Sequence, residues 1–133
     1  MNRTASFATP QDPPPASRGD FEIAVICTLP EERAAVEALM TRDYKNEGKQ
    51  YRKVQNDDNV YTTGELGGKP VVLVTPRGMG TTNTKDLARG LKISFPRILY
   101  AFVVGIAGGA PYVYDGKSWN PSDTHLGDVI AST

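Results

Sequence analysis

Several short segments of this chain carry residue types that could do chemistry. Two adjacent carboxylates, Glu31 and Glu32, follow a threonine, a leucine and a proline at the start of a helical pattern. A carboxylate there could act as a general base, or could simply be a solvated acid favoured by the positive end of a helix. Arg77-Gly78-Met79-Gly80 and Gly105-Ile106-Ala107-Gly108-Gly109 are glycine turns that each follow an apolar run. Such turns let backbone N–H groups approach an anion or a hydroxyl closely. Neither turn has the spacing of a P-loop or of a dinucleotide fingerprint. Arg77 could contact a phosphate, or stand as an ordinary loop arginine. Cys27 ends an apolar run with no histidine beside it, which suits a packed small residue better than a nucleophile. His125 is the only histidine and sits in a polar stretch. One histidine and one cysteine leave no cluster with metal-ligand spacing, so neither a metal nor another cofactor is expected.

The elements that must position these residues can be read from periodicity. Phe21 to Cys27 is a nearly all-apolar, β-branched run that suits a strand buried on both faces. Thr28 and Glu31 have capping-box spacing, Pro30 suits a first turn, and Ala35, Val36, Leu39 and Met40 form an inward stripe. This helix is expected to stop near Arg42. The polar, charge-rich stretch from Asp43 to Asn59 reads as an exposed connection. Val60–Leu66 and Val71–Val74 flank Gly67-Gly68, so they predict an antiparallel hairpin. A second helix is expected over Thr81 to Ser94, with Thr82 or Asn83 near its start and Leu87, Ala88 and Leu91 inward. Ile98 to Val104 is the most hydrophobic strand pattern and is expected to be central. Asp115 to Thr124 reads as a polar excursion, and Leu126 to Ala131 as a further strand. The order β-α-β-β-α-β-β implies an α/β fold with a mixed sheet. Strand carboxyl ends, where open α/β sheets place ligands, then carry all three turns.

Composition narrows the setting. The 133 residues include 15 basic and 15 acidic side chains, a net charge of zero. That gives no electrostatic footprint for a nucleic acid polymer or an anionic membrane. The longest apolar run, Ile98 to Ala107, is about half of the roughly 20 residues a membrane helix needs. Residues 1–19 hold Pro10, Pro13, Pro14 and Pro15, lack the apolar core of a secretory signal, and read as a disordered proline-rich leader. A cytoplasmic protein is the expectation.

Five segments, in order, resemble the N-terminal half of the purine and uridine phosphorylase superfamily, which includes the methylthioadenosine/S-adenosylhomocysteine nucleosidases. They are Asp20 to Glu32, Tyr61 to Gly64, Arg77 to Gly80, Val103 to Gly109 and Leu126 to Val129. The likeness is to fungal forms at the front of ankyrin, TPR or NTPase signalling proteins. It implies a three-layer α/β/α domain that cleaves the N-glycosidic bond of a purine nucleoside. On matching positions, Glu32 is the water-activating base, and Gly78, Met79, Gly80, Gly105, Ile106, Gly108 and Gly109 line the ribose and anion region. Two positions depart from the family pattern. Ile106 stands where many nucleosidases have serine, and Val103 where bacterial purine phosphorylases have arginine. Hydrolysis by water is therefore expected ahead of phosphorolysis, with Arg77 a candidate phosphate contact off the matching position. The purine pocket, the ribose-gripping glutamate and the acid for the leaving base come later in the family; Asp123 and Asp128 are no substitute. Residues 20 to 133 are thus expected to be half of a domain of roughly 250 residues. A non-catalytic ligand-sensing or assembly module is the alternative. An open sheet edge would then seek a second copy or fused repeat and NTPase domains.

Overall fold

The computed structural model describes residues 11–77, 84–107, 111–125 and 127–131. Its centre is a mixed five-stranded sheet of order β2-β3-β4-β1-β5. β1 (Ile23–Cys27), β4 (Lys69–Thr75) and β5 (Tyr100–Val104) run parallel, while β3 (Val60–Leu66) is antiparallel to β4. The hairpin expected around Gly67-Gly68 is present, and both glycines have positive φ, at 58° and 75°. Only glycine adopts such a turn without strain.

Alternate residues of the central strands enter two separate clusters. Ala24, Val72 and Val74 pack with Leu87, Leu91 and Phe95, on and just after α2 (Thr84–Ser94). Val25, Cys27 and Leu73 pack with Val36 of α1 (Pro30–Leu39). The period of two along a strand separates the neighbours this way. Phe21, fully buried, meets Tyr51 and Phe95 edge-on at ring-centroid distances of 4.9 and 5.5 Å. Offset edge contacts of this kind add to the burial of large rings. β4 is the most enclosed strand, with Val71 to Thr75 all buried. Among the described residues no helix is long and apolar enough to cross a membrane.

Several expectations are corrected. α1 ends at Leu39 rather than near Arg42, because Met40 is extended and Arg42–Asp43 form β2 against β3. In its stripe Val36 is buried and Met40 half-buried, but Ala35 and Leu39 face out. On α2, Leu87 and Leu91 are buried while Ala88 is exposed; residues 81–83, expected to start this helix, lie outside the described residues. The segment from Asp43 to Asn59 is not simply exposed, since Tyr44, Asp57 and Asn59 are buried. Asp57 accepts hydrogen bonds from the Tyr61 and Ser94 hydroxyls and the Asn59 N–H, and Asn59 donates to the Leu87 carbonyl. These bonds pin the loop to β3 and α2.

The Ile98–Val104 strand pattern is at the sheet edge, not its centre, and Tyr100 to Val104 are exposed on both faces. The stretch expected as a polar excursion holds the strand β7 (Trp119–Pro121), which pairs with β6 (Tyr112–Tyr114) just before it in a second sheet. Residues 127–131, expected to continue a strand from Leu126, have no regular structure. Residues 11–19, expected as leader, make defined contacts with the body. Pro15 is buried and its carbonyl accepts from the Tyr51 hydroxyl, and the Asp12 carbonyl accepts from Arg42.

Gly64 shows why β3 carries a glycine. A Cβ built there would lie 2.3 Å from the Arg42 carbonyl oxygen. Gly64→Ala must therefore push β2 off the sheet, and a loss of about 2 kcal/mol is expected from overpacking. A lowered urea midpoint with unchanged slope would show it.

Candidate functional site

β4, β1 and β5 lie side by side with one direction, and their pairing aligns Ile26 with both Val74 and Val103. Their carboxyl ends therefore form one ledge, where open α/β sheets receive ligands. Glu32 sits in this ledge and is 5% exposed. Its carboxylate accepts hydrogen bonds from both sides. Oε2 receives the Thr28 N–H at 3.0 Å, the Leu29 N–H at 3.0 Å and the Thr28 hydroxyl at 3.2 Å. Oε1 receives the Ile106 N–H at 3.0 Å. One side chain thus ties the turn after β1 to the turn after β5.

The local sequence explains this arrangement. Pro30 opens α1, so Leu29 is the residue before the helix and Glu32 the third within it. A glutamate at that position reaches back to the N–H of the preceding cap. Leucine has no side-chain acceptor to complete a reciprocal box, so Glu32 alone performs the capping. The expected Thr28–Glu31 box is not formed: Glu31 is exposed, and Glu32 takes the local duty assigned to it. The N–H groups, that of Leu29 foremost and that of Ile106 next, hold the Glu32 carboxyl below its ordinary value of 4.5, against the opposing effect of burial. Glu32 is therefore a fixed anion at neutral pH.

Other candidate residues take different places. Gly105 lies beside the carboxylate, a Cβ there falling 3.6 Å from Oε1. Ile106 contributes its N–H, while its side chain is 75% exposed. Gly78, Met79, Gly80, Gly108 and Gly109 lie outside the described residues. Arg77 is exposed and lines a shallow depression of about 360 Å³ with Tyr51, Lys53, Asn59, Val60 and Tyr61, away from the Glu32 cluster. Burial pushes the Cys27 thiol up, and the Glu32 charge adds to that, as suits a packed residue rather than a nucleophile. His125 is exposed, its backbone N–H bonded to Asp128 at 2.7 Å.

Sequence reasoning missed the group that anchors α1. Arg33 donates through Nε to Glu37 at 2.7 Å, through Nη1 to the Thr75 hydroxyl at 3.0 Å and through Nη2 to the Thr62 hydroxyl at 2.7 Å. The i,i+4 spacing of Arg33 and Glu37 was the available signal. A groove of about 620 Å³ runs from this group past Arg42 and Lys49 to Tyr51 and does not include Glu32.

Comparison with known proteins adds one relative. The chain is 26% identical over 113 residues to a nucleotide-binding leucine-rich repeat (NLR)-like protein of Hyaloscypha variabilis (strain UAMH 11265 / GT02V1 / F). The match covers 85% of this chain and 10% of that protein, so the chain spans about a tenth of its relative's length. No family model matches the chain, and no solved structure matches it significantly.

Glu32→Ala leaves the Leu29 and Ile106 N–H groups without their acceptor and should cost about 3 kcal/mol. Because the folded-state pKa of Glu32 is lowered, its stabilising contribution is present above the unfolded value of 4.5 and is lost as pH falls below it. Melting temperatures followed from pH 7 to pH 3 should drop less steeply in Glu32→Gln than in the parent protein.

Proposed function

We propose that residues 20–133 form the nucleoside-facing part of an α/β domain that cleaves N-glycosidic bonds, with Glu32 as the base that orients the attacking water. The observation that carries this reading is the buried, ionised Glu32 carboxylate on the ledge of three parallel strands, held by N–H groups from two turns. Three donors share Oε2 and a single one meets Oε1, so Oε1 retains a lone pair for water. In the reaction the water oxygen bonds to the sugar C1′, the C1′–N bond breaks, and Glu32 accepts the water's proton. An acid supplied by further polypeptide protonates the departing base.

The three-layer α/β/α arrangement belongs to the same reading and is supported by the two clusters on which α1 and α2 pack. So is the nearness of Gly105 and Ile106 to the reacting region; the roles of Gly78, Met79, Gly80, Gly108 and Gly109 rest on the resemblance. Water is the preferred co-substrate, because Val103 leaves the position of a phosphate-clamping arginine without charge. Cytoplasmic residence belongs to the same reading. The bare edge of β5 is where further strands would add, from fused sequence or a second copy.

A second reading is favoured by the NLR-like relative. There the domain senses a nucleoside for a larger signalling protein and does not cleave it.

Base release from purine nucleosides decides between them, measured on this chain together with the polypeptide that follows it in its reading frame. Phosphate-independent release that falls at least ~10²-fold in Glu32→Gln supports the first reading. Undiminished release in that variant removes Glu32 from its role. Nucleoside binding without release, by folded protein, selects the sensing module.

A further inference from the structure

The groove beside Arg33 and the depression that continues it past Tyr51 to Arg77 carry a row of cations that the Glu32 site does not use. The two depressions share Tyr51, Val60 and Tyr61, so they form one trough. α1 contributes Arg33 and Glu37 to its lining, and β3 contributes Tyr61, Thr62 and Thr63. The rest comes from the loop after β2. There the Gly48 N–H bonds the Lys45 carbonyl at 3.0 Å, and the Lys49 N–H bonds the carbonyl of the buried Tyr44 at 2.8 Å. Gly48, at a φ of 84°, supplies the left-handed step of this turn. The turn is thereby fixed, and it sets Lys45, Asn46, Lys49 and Gln50 along the groove.

The charges along the trough are unevenly matched. Arg33 is paired with Glu37 at 2.7 Å, and Arg42 with Glu47 and Glu65 at 2.7 and 3.5 Å. The Asp43 carboxylate accepts the Lys45 and Asn46 N–H groups at 2.9 and 3.4 Å. Lys45, Lys49 and Arg77 have no carboxylate partner among the described residues, and the Lys49 ammonium stands 5.7 Å from the centre of the Tyr51 ring. The Asn46 and Gln50 side chains make no hydrogen bond among those residues either. A chain of zero net charge therefore keeps a local excess of positive charge here, with amide donors between the ammonium groups.

These groups select an anion rich in acceptor oxygens. Ammonium and guanidinium offer only donors, and phosphate oxygens are their strongest acceptors. Cations at separate positions along the trough match several anionic groups rather than one. The main groove, about 620 Å³, has the size of a small-molecule site and not of an extended protein interface. We propose that this trough binds a small, multiply charged phosphate ester, with Lys45 and Lys49 as its principal cations and Arg77 beyond Tyr51. The site does not include Glu32 and is independent of the N-glycosidic reading. Arg77 thereby gains a phosphate-facing role at a place other than the ledge of the parallel strands.

Inorganic tripolyphosphate and myo-inositol hexakisphosphate serve as probes. Calorimetric titration of the 133-residue protein at low ionic strength should show saturable binding of both, tighter than that of inorganic phosphate and weakened by added salt. Lys45→Gln combined with Lys49→Gln should lower the affinity at least about tenfold, with unchanged circular dichroism. Lys69→Gln combined with Lys117→Gln removes the same charge outside the trough and should leave the affinity within about twofold. Such an ester reaches a protein free in solution or as a lipid headgroup. Cosedimentation with phosphatidylcholine vesicles containing phosphatidylinositol bisphosphate, reversed by tripolyphosphate, selects the headgroup. Binding of the soluble probes without cosedimentation selects the free ester. No saturable binding of either probe at millimolar concentration overturns the proposal, as does an unaltered affinity in the Lys45/Lys49 variant. Equal losses in the two double variants overturn it too, since they reduce the effect to overall charge. Tighter binding of a single-stranded RNA than of hexakisphosphate replaces the small ester with a nucleic acid and equally overturns it.

Discussion

A single carboxylate organises the carboxyl ends of the parallel strands. Glu32 accepts N–H groups from Thr28 and Leu29 locally and from Ile106 across the sheet edge. The local bonds start α1, and the long-range bond fixes how the chain leaves β5. Buried, unpaired N–H groups are costly, so each of these segments depends on the same anion. The anion in turn is stable inside the fold because so many donors converge on it. The structure therefore makes two demands of residue 32: it must be an acid, and it must be ionised. A carboxylate that accepts from two turns at once is rigidly placed.

The sheet supplies the rest of the geometry. β4 and β1 are apolar on both faces because alternate residues enter two separate buried clusters. β5 has the same composition and none of that cover. Its Phe102 and Val103 are 57% and 74% exposed. A strand of such composition is matched to the interior of a parallel sheet, and its bare state accounts for the mismatch between its hydrophobicity and its place at the edge. The reverse mismatch occurs in the segment 43–59. Polar residues there are drawn into the core, where Asp57 and Asn59 find full sets of hydrogen-bond partners and Tyr44 joins the aromatic cluster around Phe21.

The legibility of the chain follows these lines. Strand β1, the hairpin β3–β4 and helix α2 were readable because their signals are local: an apolar run, a Gly-Gly turn, a helical stripe. The α/β class and the mixed sheet followed from their order. Glu32 was readable as a candidate from its place after a strand, but its capping role was assigned to Glu31, since Thr28 offered a box one residue too early. The true frame is set by Pro30, which begins the helix and shifts each cap position by one. The edge place of β5 is not legible because hydrophobicity encodes what a strand is suited to contact, not which of the described residues pack on it. The β6–β7 hairpin was hidden by its polar turn, although Tyr112, Tyr114 and Trp119 alternate as strand residues should. Arg33, Thr62 and Thr75 meet only through sheet pairing, and no sequence window contains them together.

The bond between the Glu32 carboxylate and Ile106 joins residues 74 positions apart. Closing so long a loop carries an entropic cost that only the parallel pairing of β1 with β5 can offset. The bond between Glu32 and the turn after β5 therefore depends on that pairing being in place. Non-local parallel pairing of this kind is slow. Tyr100 to Val104 stay exposed after that pairing is complete, so a chaperone that recognises bare apolar strands has the same target in the folded chain as in the nascent one.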